Sequence, residues 1–243
     1  MNKALKKLLQ DNPAIWCASE SVQNKNTGLS TGFKLLDEIL PTHGWPHNSL
    51  IEVLVPRWGV GELQLLLPLL VAISRQPKWI AWIAPPFVPY APALAYAGVD
   101  LEQMIVVSDD QINEDSFNEN LAHEKRKNSS DEVKNSHQKK ATTVRHESLW
   151  AMEKILRNQN CGLVMAWPEK ITDKAMRRLQ IAAEEGGSIG FIFRQHKINA
   201  SPAALRIALA VVGHQLEVTL LKARGASRCK RVLLDLPVTS ASV

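Results

Sequence analysis

At 243 residues with a formal net charge of +5, the chain is long enough for one large α/β domain with a sizeable core. No stretch approaches the ~18 consecutive apolar residues of a membrane span. The start MNKALKKLLQDNP has neither a signal-type apolar core nor a small-residue cleavage site, so a soluble, unexported, cytoplasmic protein without membrane contact is expected.

Cys17, Cys161 and Cys229 are far apart and form no CxxC or CxxH pair, which excludes a zinc site or disulfide framework of the usual spacing. Cys161 heads an apolar run and reads as a small buried hydrophobe. The seven tryptophans do not form a stacking ladder: Trp79 and Trp82 fall in an apolar strand and read as core. Trp45 and Trp58, beside turns, read as exposed contacts. The histidines show no metal-ligand spacing.

In chain order, residues 1–28 read as a short helix and a polar linker, with Pro13 as a stop. GFKLLDEIL follows with helical spacing, placing Phe33, Leu36, Ile39 and Leu40 on one side. Ser49 to Val55 reads as a strand, PRWGVG as a turn, and Gly61 to Ser74 as a helix. KWIAWIAPP is a second strand, a Pro-punctuated segment turns helical before Gly98, and QMIVVSDD is a third strand.

Residues 111–147 hold seven acids and seven bases and few apolar side chains. Such a stretch buries too little to offset its ordering entropy and reads as a mobile insertion. ESLWAMEKILRNQ is helical, CGLVMAW a strand, DKAMRRLQIAAEEGG a helix closed by glycines, and SIGFIFRQ a strand. Apolar strands alternating with helices predict a mainly parallel sheet flanked on both faces. ALRIALAVV, QLEVTLLKARG and CKRVLLDLP then form three strands with no helix between them, an antiparallel meander continuing the sheet. Residues 237–243 are a tail.

The charge is unevenly distributed. From Arg194 to Arg231 there are eight basic residues against the single acid Glu217, a net +7 that leaves the rest of the chain near −2. A basic C-terminal third is an electrostatic footprint for nucleic acid or an acidic protein surface. Lys222, Arg224, Arg228, Lys230 and Arg231 are the candidate contacts to a partner or to DNA. The same residues would also protect a strand edge against unwanted pairing.

LSTGFKLLDEILPTHGWPHNSLIEVLVP, AWIAPPFVPYAPALAYAGVDLEQMIVVSDD, AMRRLQIAAEEGGSIGFIFRQ and ALRIALAVVGHQLEVTLLKARG together resemble the RecA recombinase core across residues 29–236. That resemblance implies a RecA-like α/β domain with a phosphate loop between the first strand and its helix. A working loop needs glycines, a Lys for the terminal phosphates and a hydroxyl for magnesium. Here Gly59 and Gly61 stand without the other two: Gly61 takes the Lys position and Glu62 the hydroxyl position. A carboxylate at a helix start occupies the place an anion would take. Glu62 also reads as an ordinary acid of a first helical turn.

The family's catalytic Glu falls at Pro86, and its magnesium-organising Asp falls among Ala166, Trp167 and Pro168. The loops that would hold single-stranded DNA shrink to PEKIT and QHKINASPA. The resemblance therefore implies a degenerate P-loop, no cofactor and no ATPase activity.

Two bacterial groups share such a degenerate core. GVGELQLLLPLL, the long N-terminal entry and LEVTLLKARG are similar to the ImuA family of translesion-synthesis accessory proteins. Membership implies binding to an ImuB-like, catalytically inactive Y-family polymerase relative, through it a replicative-type polymerase, and contact with RecA. The main expectation is therefore a non-catalytic accessory of SOS-induced translesion synthesis. LLLPLL, GLVMAWPEKIT and AAEEGGSIGFIFR resemble the SulA inhibitors of cell division over about Ser49 to Arg194 only, which implies the alternative, a damage-induced inhibitor that binds the tubulin-like division protein.

Overall fold

The computed structural model describes residues 28–108, 148–195, 201–223 and 229–236. The expected N-terminal helix, the 111–147 insertion and the tail lie outside the described residues.

Eight strands form one sheet: β1 Leu50–Leu54, β2 Trp79–Ile83, β3 Met104–Val107, β4 Cys161–Ala166, β5 Ile189–Arg194, β6 Leu205–Val212, β7 Gln215–Ala223 and β8 Lys230–Leu234. Their spatial order is β3-β2-β4-β5-β1-β6-β7-β8. Pairing is parallel from β3 through to β6 and antiparallel from β6 to β8. The expected meander is therefore anchored, since β6 pairs with β1 on one side and with β7 on the other.

Helices α1 Lys34–Ile39, α2 Glu62–Ser74, α3 Ala91–Tyr96, α4 (148–156) and α5 Asp173–Gly186 connect and cover it. One face packs Ile51, Val53, Trp82, Met165 and Phe193 against Leu65, Leu66, Leu69 and Leu70 of α2 and Leu36 of α1. The other packs Leu50, Ala81, Val164 and Ile192 against Met152 and Leu156 of α4 and Met176, Leu179 and Ala183 of α5. Two-sided burial is why β1, β4 and β5 read as unbroken apolar runs rather than alternating ones.

The LSTGFKLLD entry is a local tie. Asp37 accepts from the Thr31 N–H at 2.9 Å and from the Ser30 hydroxyl at 2.8 Å. Gly32, at φ 83°, lies where a Cβ would come within 2.5 Å of the Pro68 ring. Only a glycine satisfies both that dihedral and that approach. At the far end, α5 begins with Thr172 accepting from the Ala175 N–H and ends on left-handed Gly187, the usual hydroxyl and glycine caps.

The expectation that both faces are covered fails at β3, where Ile105 and Val106 are exposed. The expectations for the tryptophans also change. Trp45 is buried: its backbone bridges to Leu29 and its ring meets Phe191 edge-on at 5.2 Å. The entry segment is pinned across it, so proximity to a turn does not expose it. Trp58 is half-buried against the core. Trp82 is core, but Trp79, the first residue of β2, is 41% exposed, at the end of the strand where burial begins only with Ile80.

Candidate functional site

The joint between β1 and α2 is a turn whose two glycines both have positive φ, 82° at Gly59 and 106° at Gly61. Gly61 caps α2 in the left-handed region, and a Cβ there would meet Leu236 Cδ1 at 2.5 Å. Glu62, buried at the first helical position, turns back so that its Oε1 accepts from the Gly59 N–H at 2.8 Å. A carboxylate on unpaired N–H groups at the positive end of a helix is electrostatically favoured. Its Oε2 is buried and has no hydrogen-bond partner among the described residues.

At the carboxyl ends of the neighbouring strands, where open α/β sheets place their ligands, aromatic rings fill the space. Trp82 stacks on Trp167 at 5.5 Å, and Trp167 stacks on Phe193 at 4.8 Å with an 11° interplanar angle. Ala166 and Trp167 are buried and Pro168 follows them. Pro86 lies in the loop after β2 and lines a groove on the far side, beside β3.

The basic footprint proves to be two different things. Arg194 on β5 and Arg206 on β6 flank β1 and converge on Glu52: Arg194 Nη1 is 3.1 Å from Oε1, and Arg206 Nε is 3.0 Å from Oε2. All three are buried. These arginines are interior countercharges and no part of an outer surface. The available signal was Glu52 itself, a lone acid within an apolar strand, which burial tolerates only with paired charges.

Of the five candidate contacts, Lys222, Lys230 and Arg231 are exposed, and Arg224 and Arg228 lie outside the described residues. Lys222 donates through Nζ to the Ser201 carbonyl at 2.6 Å, and Arg231 faces Glu217 at 3.6 Å. Lys230 and Arg231 pair opposite Leu220 and Thr219. As successive strand residues they point to opposite faces, so the structure does not gather them into one patch.

Cys161 is buried, and burial pushes its thiol up to about 11. Among the described residues, no three His, Cys, Asp or Glu side chains come together as a metal site, and no helix is long and apolar enough to cross a membrane.

No protein-family model matches the chain. A cell division inhibitor SulA of Serratia marcescens is 28% identical over 134 residues, 55% of this chain and 60% of that protein. The SulA of Serratia proteamaculans is 29% identical over 177 residues, 72% of this chain and 86% of that protein. The chain thus spans about 60% of the length of the first of these relatives. Among solved structures, SulA from Pseudomonas aeruginosa matches with a TM-score of 0.39 at 20% identity, covering 60% of this chain and 98% of that one. The sequence relatives support a SulA-like superfamily for this mixed α/β chain.

Proposed function

We propose that this chain is a non-catalytic, partner-binding protein on a RecA-like core with a degenerate P-loop, acting as a SulA-type inhibitor of cell division in the SOS response. Its partner on this reading is the tubulin-like division protein. The observation that carries the functional class is the sequence similarity to proteins named cell division inhibitor SulA. The absence of nucleotide chemistry is supported by the Glu62 carboxylate on the Gly59 N–H and by the Trp82, Trp167 and Phe193 rings at the strand ends. An inward-facing carboxylate and a dry aromatic stack suit neither polyphosphate nor magnesium. Overexpression in undamaged cells tests the reading: filamentous growth supports it, and normal septation sinks it.

A second reading is favoured by the entry segment and the meander. Residues 28–45 are tied into the core through Asp37, Gly32 and Trp45, and β7 and β8 extend the sheet. These regions carry the resemblance to ImuA, an accessory of translesion synthesis in mutagenic damage tolerance and DNA repair. On that reading the chain binds an ImuB-like polymerase relative, reaches a replicative-type polymerase through it, and contacts RecA. Loss of damage-induced mutagenesis on deletion, without filamentation on overexpression, would select it. On this second reading the basic set Lys222, Arg224, Arg228, Lys230 and Arg231 supplies the candidate contacts, with Lys230 and Arg231 serving opposite faces of β8.

A further inference from the structure

The edge of the sheet opposite the basic residues is built differently from the rest of the surface. β3 ends the sheet and pairs only with β2 among the described residues. It carries no charge and no proline: its residues are Met104, Ile105, Val106 and Val107. Side chains on successive strand residues face opposite ways, and both Ile105 and Val106 are exposed, Val106 at 47%. Edges are normally blunted with lysine, proline or a bulge. β8, at the other edge, opens with Lys230 and Arg231, whereas β3, four residues long, carries neither a charge nor a proline.

Alongside β3 runs a groove of about 570 Å³ lined by Pro86, Phe87, Val88, Leu94, Met104 and Val106 among others, every one uncharged. Of the residues lining it, Phe87 is 71% exposed and Val88 87%. An aromatic side chain covers ~150–250 Å² when buried. On the Val106 side of the sheet, the exposed parts of Phe87, Val88, Leu101 and Val106 make an apolar lining smaller than the ~800 Å² per partner of a standard interface, the scale of one peptide segment.

We propose that β3 and its groove form a docking site for an extended, uncharged, apolar-rich segment of a partner protein, which adds to the sheet as a ninth strand. Among the described residues no strand pairs with the outer edge of β3, and such an edge specifies a strand, because only extended backbone supplies alternating N–H and C=O at that spacing. The uncharged lining specifies apolar side chains, since a charge placed there loses water without gaining a partner. The concavity specifies a different protein. A two-fold dimer sets the same patch against itself, and a groove facing its own copy remains unfilled. This inference rests on the β3 edge and its groove and holds under either functional reading.

The test begins with a display library of 12-residue peptides selected on the full chain. Selected peptides, made synthetically with a fluorophore, are titrated by anisotropy against the wild type and against Val106→Lys, Phe87→Ser and Lys230→Glu. The expected result is a consensus of alternating uncharged apolar residues. Binding weakens at least tenfold with Val106→Lys or Phe87→Ser, is unchanged with Lys230→Glu, and weakens at least tenfold when alternate peptide amides are N-methylated. The methylated peptides test strand addition on unaltered protein, so a poorly folded variant cannot mimic the result. Recovery of no binder, or binding indifferent to methylation and to both groove variants, overturns the proposal. Two other occupants would also overturn it: a wild-type dimer that Val106→Lys makes monomeric, or outer-edge β3 amides already protected from hydrogen exchange in the isolated chain. Because Lys230→Glu leaves this binding unchanged, failure here leaves the proposed function standing, and the reverse also holds.

Discussion

Arg194 of β5 holds the Glu52 carboxylate of β1 at 3.1 Å, with both side chains withdrawn from water in the middle of the sheet. Arg206 approaches the other carboxylate oxygen from β6, as an ion contact rather than an aligned hydrogen bond. The three strands that meet at β1 are thus joined by charge as well as by ladder hydrogen bonds. Removing one member of a buried ion pair costs ~3–5 kcal/mol, because the remaining charge is stranded. Glu52→Gln is therefore expected to lose stability of that order in urea denaturation. The triple change of Glu52, Arg194 and Arg206 to Leu, Met and Met is expected to recover most of it. A Glu52→Gln loss below ~1 kcal/mol would show that water reaches the cluster.

Glu62→Ala removes the carboxylate from the Gly59 N–H and from the positive end of α2. A charge-assisted hydrogen bond of this kind contributes ~1.5–3 kcal/mol, so a loss of about 2 kcal/mol is expected in denaturant melts. Titration calorimetry with Mg-ATP on the wild type is expected to give no saturable heat. Micromolar affinity there would overturn the reading of the loop as one without nucleotide chemistry.

Gly32, Gly59 and Gly61 all have positive φ but differ in space. A Cβ at Gly32 strikes the ring of Pro68, one at Gly61 strikes the end of the Leu236 side chain, and one at Gly59 meets nothing. The left-handed conformation costs a residue with a Cβ ~1–2 kcal/mol, and overpacking adds ~1–3 kcal/mol. The expected order of destabilisation is Gly32→Ala, then Gly61→Ala, then Gly59→Ala, near 3 kcal/mol for the first and near 1 kcal/mol for the last. Thermal melts of the three variants check it, and equal losses would contradict it.

Cys161 is protonated well above neutral pH because burial disfavours its thiolate. Alkylation with iodoacetamide at pH 8, mapped by mass spectrometry, is expected to leave Cys161 unmodified in the native chain while exposed Cys229 reacts. The folded-state value, about 11, lies above the ordinary 9.0. The native state therefore holds this proton more tightly than the unfolded state. The contribution to stability is complete below pH 9 and falls as pH rises from 9 towards 11. Cys161→Ala should remove that part of the alkaline slope, and an unchanged slope would assign it elsewhere.

The order and type of most elements were legible because their signals are local. Leu65, Leu66, Leu69, Leu70 and Ile73 recur on one side of a helix, and β1, β4 and β5 are apolar runs of strand length. The turn at Gly59 and Gly61 was legible for the same reason, since glycine spacing is a property of the chain itself. The environment of side chains was less so. Trp45 and Trp79 were assigned opposite exposures from those they have, because a ring beside a turn is exposed or buried according to what packs over it from elsewhere in the chain.

Charge shows the same division most clearly. By itself the sequence determined that the C-terminal third is basic, that Glu52 interrupts an apolar strand, and that Glu62 follows the glycines of a turn at a helix start. Only the tertiary structure decided which charges are outside. It brings residues 142 positions apart together, so that Arg194 neutralises Glu52, and leaves Lys230 and Arg231 on opposite faces of an edge strand. It also decided that β3, an ordinary apolar strand in sequence, stands at the end of the sheet among the described residues. A strand's neighbours are set by crossover connections and sheet order, which no local pattern of residues encodes.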